Sequence, residues 1–151
     1  MSTTAIRNLA SLELFAGCRH AELARIDQLG CTLTLPPGRV LCTEGARGNE
    51  FFVMLDGDAE VRTPHCAVAR LHRGAWFGEV ALLKGEPRRA TVTTLTDVTL
   101  LVFGLREFQA LLLLAPRVRA QLERTTARLV RGDMPTRSAW YQPLAPSLGR
   151  A

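Results

Sequence analysis

The feature that most constrains this chain is a change of hydrophobic period. From Cys31 to Phe103 apolar and polar residues alternate in short runs, and glycine or proline breaks them about every ten residues. Thr32, Leu33, Thr34 and Leu35 alternate before the turn Pro36-Pro37-Gly38. Val40, Leu41 and Cys42 form a second run, closed by Glu44-Gly45 and Gly48. A third covers Glu50 to Leu55, and Asp56-Gly57 is a strong hairpin turn into Ala59, Val61 and Thr63. Cys66 to Leu71 follows, then Gly74, and two more runs, Ala90 to Leu95 and Val98 to Phe103, flank Thr96-Asp97. Strands this short and this evenly spaced bury a face only by stacking sheet on sheet, so the sequence predicts a sandwich or jelly roll.

On either side the spacing becomes helical. Ser11 to Phe15 and Glu22 to Leu29 place apolar residues three and four apart, and Gly30 stops the helix. Leu105 to Leu114 and Pro116 to Val130 predict two helices at the other end. Pro116 sits in the first turn of the second, whose apolar stripe is Val118, Leu122, Leu129 and Val130. The expected fold class is mainly β with flanking helices, one domain over residues 1–131. Residues 132–151, with three prolines and no helical stripe, are expected to be a flexible tail.

Within this frame one stretch is poor structural filler: W-F-G-E-V-A-L-L-K-G-E-P-R-R-A-T-V, from Trp76 to Val92. A glycine, Gly78, lets the backbone approach a ligand closely, and a short helical turn after it points unpaired N–H groups outward, which suits an anion. Past Gly85 and Pro87 come Arg88 and Arg89, either able to close bidentately on phosphate oxygens. Glu79 carries a charge unsuited to phosphate and is better placed to accept from hydroxyls. A basic group, an acidic group and a cradle of amides together describe a sugar phosphate.

The segment resembles the phosphate-binding cassette of cyclic nucleotide-binding domains, the family of the catabolite activator protein, the regulatory subunits of cyclic-AMP-dependent kinase and nucleotide-gated channels. F-G-E-x-A-L-L, Pro-Arg and A-T-V arrive in the family's order and spacing, and P-P-G-R-V-L-C-T-E-G followed by F-F-V-M-L-D-G-D-A-E-V is similar to its early strands. The resemblance covers about Leu14 to Val130 and implies a β-roll with N-terminal helices and two C-terminal helices. It implies that Arg88 pairs with the cyclic phosphate, Arg89 being the alternative at a longer loop length. It also implies that Glu79 accepts from the ribose 2′-hydroxyl beside Gly78, and that backbone N–H groups of Ala81 and Leu82 meet the phosphate. Phe77, Val80 and Ala90 complete the cassette, and Val61, Val68 and Leu71 are the matched candidates for the base pocket. A lid falls near Val130, Asp133 or Met134, or is supplied by Trp140 and Tyr141. Many members carry Ala, Ser or Thr after the cassette arginine; Arg89 departs from that pattern, and the missing hydroxyl favours adenine over guanine.

The resemblance therefore implies a cyclic AMP sensor, with cyclic GMP the second candidate ligand, that repositions its terminal helices and is read by an effector protein or by self-association. The alternative is a protein-interaction module of the same fold with an empty or repurposed pocket. Other classes are excluded on residues. At 151 residues, 47% hydrophobic and 22% charged, the chain can bury one ordinary core. No apolar run approaches the roughly 18 residues of a membrane span, and Met1 to Leu9 lacks the apolar centre of a secretion signal, so the expected location is cytoplasmic. Cys18, Cys31, Cys42 and Cys66 form no C-x-x-C pair, and His20, His65 and His72 form no H-x-H. With no nucleophile motif or Walker loop either, no metal, cofactor or catalysis is expected. The net charge of +5 suits an anionic ligand. Arg117, Arg119, Arg124, Arg128 and Arg131 read as a solvated face rather than a DNA contact, and there is no room for a helix-turn-helix.

Overall fold

The computed structural model describes residues 9–63, 67–130 and 141–143. After a 3₁₀ turn at Glu13–Phe15 the chain forms α1 (His20–Leu29), β1 (Cys31–Leu35), β2 (Val40–Cys42), β3 (Phe51–Asp56), β4 (Ala59–Arg62), β5 (Ala67–Leu71) and β6 (Trp76–Phe77). Then come α2 (Glu79–Lys84), β7 (Thr91–Thr94), β8 (Val98–Phe103), α3 (Leu105–Leu114), α4 (Pro116–Val130) and β9 (Tyr141–Pro143). The strands make two antiparallel sheets, in the orders β1-β8-β3-β6 and β2-β7-β4-β5-β9, which face each other as a roll with helices at both ends.

Most alternating runs became strands because at least one of their faces is buried, while β1 is mostly exposed and is held by its pairing with β8. In β8, Val98 and Leu100 share one buried face while Leu101 and Phe103, on the other, meet the helical layer, and β3 is buried on both faces along Phe51, Phe52, Val53 and Met54. Phe51 joins the sheet to the helical layer: its ring lies 5.9 Å from Phe103 and 5.0 Å from Phe108 of α3. Phe15, Ile26, Leu111 and Leu122 extend the same core. The turn after Pro36 is pinned by a buried hydroxyl, since Thr94 donates to the Pro36 carbonyl and accepts from the Arg39 N–H, both at 2.8 Å.

Three features differ from the sequence reading. The first helical stretch is broken: Gly17, at φ +87°, separates the 3₁₀ turn from α1. Trp76 and Phe77, which open the cassette in the sequence and carry no strand period there, pair with Val53 and Phe52 as β6. Finally, Tyr141–Pro143, inside the stretch expected to be a tail, pairs with Ala69–Leu71 as an edge strand. The remainder of that stretch, with Asp133, Met134 and Trp140, lies outside the described residues, as do His65 and Cys66. No helix among the described residues is long and apolar enough to cross a membrane.

Candidate functional site

Three segments converge on the guanidinium of Arg88. Strand β6 ends at Phe77, whose ring stacks on Phe52 with centroids 4.8 Å apart, and this pairing fixes where the chain leaves the sheet. Gly78 makes the corner at φ +99°, and a Cβ there would lie 2.7 Å from the Glu50 carbonyl and 2.8 Å from Arg88 Nη1, so glycine is required. Helix α2 begins at once and ends at Gly85. The returning loop is then clamped against residues 45 and 46. Arg88 N–H donates to the Ala46 carbonyl at 2.9 Å, and the Arg88 carbonyl accepts from Gly45 N–H at 2.8 Å.

Arg88 is 7% exposed. Its Nη1 donates to the Gly78 carbonyl at 3.1 Å and its Nη2 to the Glu50 carbonyl at 2.9 Å. Both partners are neutral, and Arg88 forms no ion pair with a carboxylate among the described residues. A buried guanidinium held only by carbonyls is positioned but not neutralised, which is a standing preference for an anion.

Glu79, the first residue of α2, is 4% exposed. Burial pushes its carboxyl up to about 8, against the pull of the N–H groups of Glu79 and Val80 and of the Arg88 charge. At neutral pH the group is mostly protonated, and it then presents both a donor and an acceptor to a hydroxyl. The N–H count of α2 follows from its start. Leu82 N–H reaches back one turn to the Gly78 carbonyl, while Glu79 and Val80 face the Glu79 carboxyl, which leaves Ala81 N–H as the donor open to a ligand.

The other expected site residues divide by position. Val80 and Ala81 are buried, and Leu82 and Ala90 are half-buried around the cassette. Val61 is half-buried on the inward face of β4, between Ala69 and Val92 in neighbouring strands. Leu71 is wholly within the core, and the side chains of Val68 and Val130 lie outside the described set. Arg89, the alternative phosphate ligand, turns away from Arg88. Its Nη1 donates to the Leu129 carbonyl of α4 at 3.3 Å, and its Nη2 lies 3.6 Å from Glu86 Oε1.

Two residues around Arg88 escaped the sequence reading. Gly48 was read only as a turn, but a Cβ there would run into the guanidinium; Glu50 was read only as the start of a strand, but its carbonyl holds Nη2. The available signal was a second glycine three residues before β3, where a turn alone needs only Gly45. Cys42 lies behind the site, and burial pushes its thiol up to about 11, so it stays protonated. No cluster of His, Cys, Asp and Glu among the described residues could hold a metal ion.

Residues 32–113 match the cyclic nucleotide-binding domain family. The chain belongs to that family. A cyclic nucleotide-gated potassium channel of Mesorhizobium japonicum is 38% identical over 124 residues, covering 82% of this chain and 34% of the channel. Among solved structures, the catabolite activator protein of Thermus thermophilus is 26% identical, with a TM-score of 0.70 over 79% of this chain and 58% of its own. The regulatory subunit of a cAMP-independent protein kinase A from Trypanosoma brucei is 20% identical, with a TM-score of 0.75 over 87% of this chain and 49% of its own. This cyclic nucleotide-binding domain thus spans about a third of the channel it matches. Since the Trypanosoma protein is described as cAMP-independent, the roll by itself does not name a ligand, and the ligand has to be argued from the site.

Proposed function

We propose that this domain binds a cyclic nucleotide, cyclic AMP in preference to cyclic GMP, as a regulatory and not a catalytic module. The observation that carries the reading is Arg88, a buried cation with two carbonyl partners and no ion-paired carboxylate among the described residues. A singly charged cyclic phosphate would supply a counter-ion, with Ala81 N–H as a further donor and the Glu79 carboxyl on the ribose 2′-hydroxyl. Val61 and Leu71, which share a face of the sheet, would form the apolar wall for the base. The preference for adenine rests on the absence of a hydroxyl after Arg88: the residue there is Arg89, and its guanidinium lies against α4. Binding would bias the terminal helices between two positions, to be read by an effector polypeptide or by a second copy, since a ligand moves such an equilibrium only through unequal affinity for its two states.

Calorimetry with cyclic AMP, cyclic GMP and linear AMP tests the ligand. Cyclic AMP should bind most tightly, and Arg88→Ala should lose about 2–5 kcal/mol of binding, roughly 30-fold or more in affinity. Tighter binding of cyclic GMP would remove the adenine preference. A second reading, a protein-interaction module with a closed pocket, is favoured by the same carbonyls, which already occupy both terminal nitrogens of Arg88. Heat on mixing with none of the three nucleotides, together with unchanged melting temperatures, would favour that reading.

A further inference from the structure

The helical layer holds a groove to which the cassette contributes nothing. Helix α1 packs beside α3, and the seam between them is an open cavity of about 540 Å³. Its apolar lining is Ala21 from one helix and Ala110, Leu113 and Leu114 from the other. Leu113 is 80% exposed, more than any other large hydrophobic side chain among the described residues. It lies off the stripe that α3 buries through Phe108 and Leu111, so the core gives no reason for a leucine there. An isolated exposed leucine is ordinary, but this one borders a concave seam whose lining is also aliphatic. Charge frames the seam. Arg19, at the N-cap of α1, and Arg25 flank it on one side, and Arg106 stands one turn before Ala110 on the same stripe of α3. Arg25 and Arg106 are exposed and form no ion pair among the described residues. The carboxylate that lines the seam, Glu22, is engaged within its own helix: it accepts from the Arg19 N–H at 2.8 Å and lies 3.5 Å from Arg19 Nε. Cations therefore outnumber carboxylates around an aliphatic lining.

We propose that this seam docks an acidic amphipathic helix of another polypeptide, with its aliphatic stripe on Ala110, Leu113 and Leu114 and its carboxylates against Arg25 and Arg106. In this mode of recognition, anchors spaced by one helical turn enter an apolar channel, and charges at the rim fix orientation. Charge selects this occupant over the others. Residues 1–8, 64–66 and 144–151 contain no carboxylate, and residues 131–140 contain one against two arginines, so no segment of this chain outside the described residues complements the seam. A second copy set symmetrically on the same seam would bring the arginines of both copies together. An anionic bilayer is flat and would leave a recessed seam unfilled. The inference concerns a polypeptide surface alone and does not rest on the ligand proposed above.

Fluorescence anisotropy on the full chain tests the proposal. The probes are labelled designed helical peptides with leucines at i, i+3, i+4 and i+7 and glutamates on both flanks, and counterparts with lysine in place of each glutamate. At about 0.15 M salt the glutamate peptide should bind about ten-fold more tightly than its lysine counterpart. Arg25→Glu should abolish or reverse that preference. Leu113→Ser should weaken binding about ten-fold, the scale of one buried leucine, while the same charge change at Arg128 of α4 should leave it within about two-fold. All three positions are exposed, so melting temperatures should match the wild type. Equal affinity for the two peptides, binding of neither, or glutamate-peptide binding that survives both Arg25→Glu and Leu113→Ser overturns the proposal. A concentration-dependent dimer in sedimentation that Leu113→Ser abolishes would assign the seam to a second copy and overturn it too. Flotation with phosphatidylserine vesicles, lost in the same variant, would assign the seam to a membrane and do likewise.

Discussion

At the scale of single residues, the site is a problem of charge in a dry place. Glu79 is the uncommon carboxylate whose folded-state pKa is raised, so it binds a proton more readily folded than unfolded. Its contribution to stability is therefore full below the ordinary carboxylate range and declines as pH rises through about 8. Melting temperatures of the free wild type should fall relative to Glu79→Gln between pH 5 and pH 8.5, roughly, and the gap should be flat below pH 4, approximately. A parallel pair of curves would show that the group is not the buried acid described here. Gly48→Ala places a methyl group against the Arg88 guanidinium and should cost about 1–3 kcal/mol, read by urea titration, with nucleotide affinity falling alongside. Residue identity was largely legible in the sequence at this scale. F-G-E and P-R-R name Gly78, Glu79 and the arginine pair, but alternation and spacing cannot say which guanidinium is buried. That depends on Gly48 and on the Glu50 carbonyl, which come from a loop some forty residues upstream of Arg88, and a main-chain acceptor leaves no mark on residue type.

Elements repeat the same division between what pattern shows and what packing decides. The alternating strands were readable because residues two apart, such as Val98 and Leu100 or Ala59 and Val61, share a face in only one register. Strand β6 was not readable, because two residues carry no period; it exists through its pairing with β3 and the stack of Phe77 on Phe52. Phe77→Ala should destabilise the domain by about 3–5 kcal/mol in denaturant titration and loosen the start of α2 with it. The break at Gly17 was hidden for a related reason, since apolar spacing continued across it while a positive φ interrupted the backbone. On α4, Thr126→Val removes a hydroxyl that has no partner among the described residues and keeps the shape, so it should raise the unfolding free energy by about 1 kcal/mol in urea. A loss of stability of that size would mean that the hydroxyl has a partner after all.

For the whole molecule, the two-sheet roll and the helices at both ends were expected from the period change at Cys31 and its reversal after Phe103, and both are present. The joint between the layers was not expected, because Phe51 is remote in sequence from Phe103 and Phe108 and is brought to them by topology alone. The edge strand β9 likewise has no signature beyond Tyr-Gln-Pro, and it exists by pairing with β5. The helical segments on the two sides of the roll also touch: Arg117, at the start of α4, reaches Gly17, so the turn that precedes α1 and the helix that follows the cassette are neighbours. Fluorescent labels placed before the turn and after α4 would accordingly share a single reference point, and a swing of either helix would change their separation without the sheets having to deform.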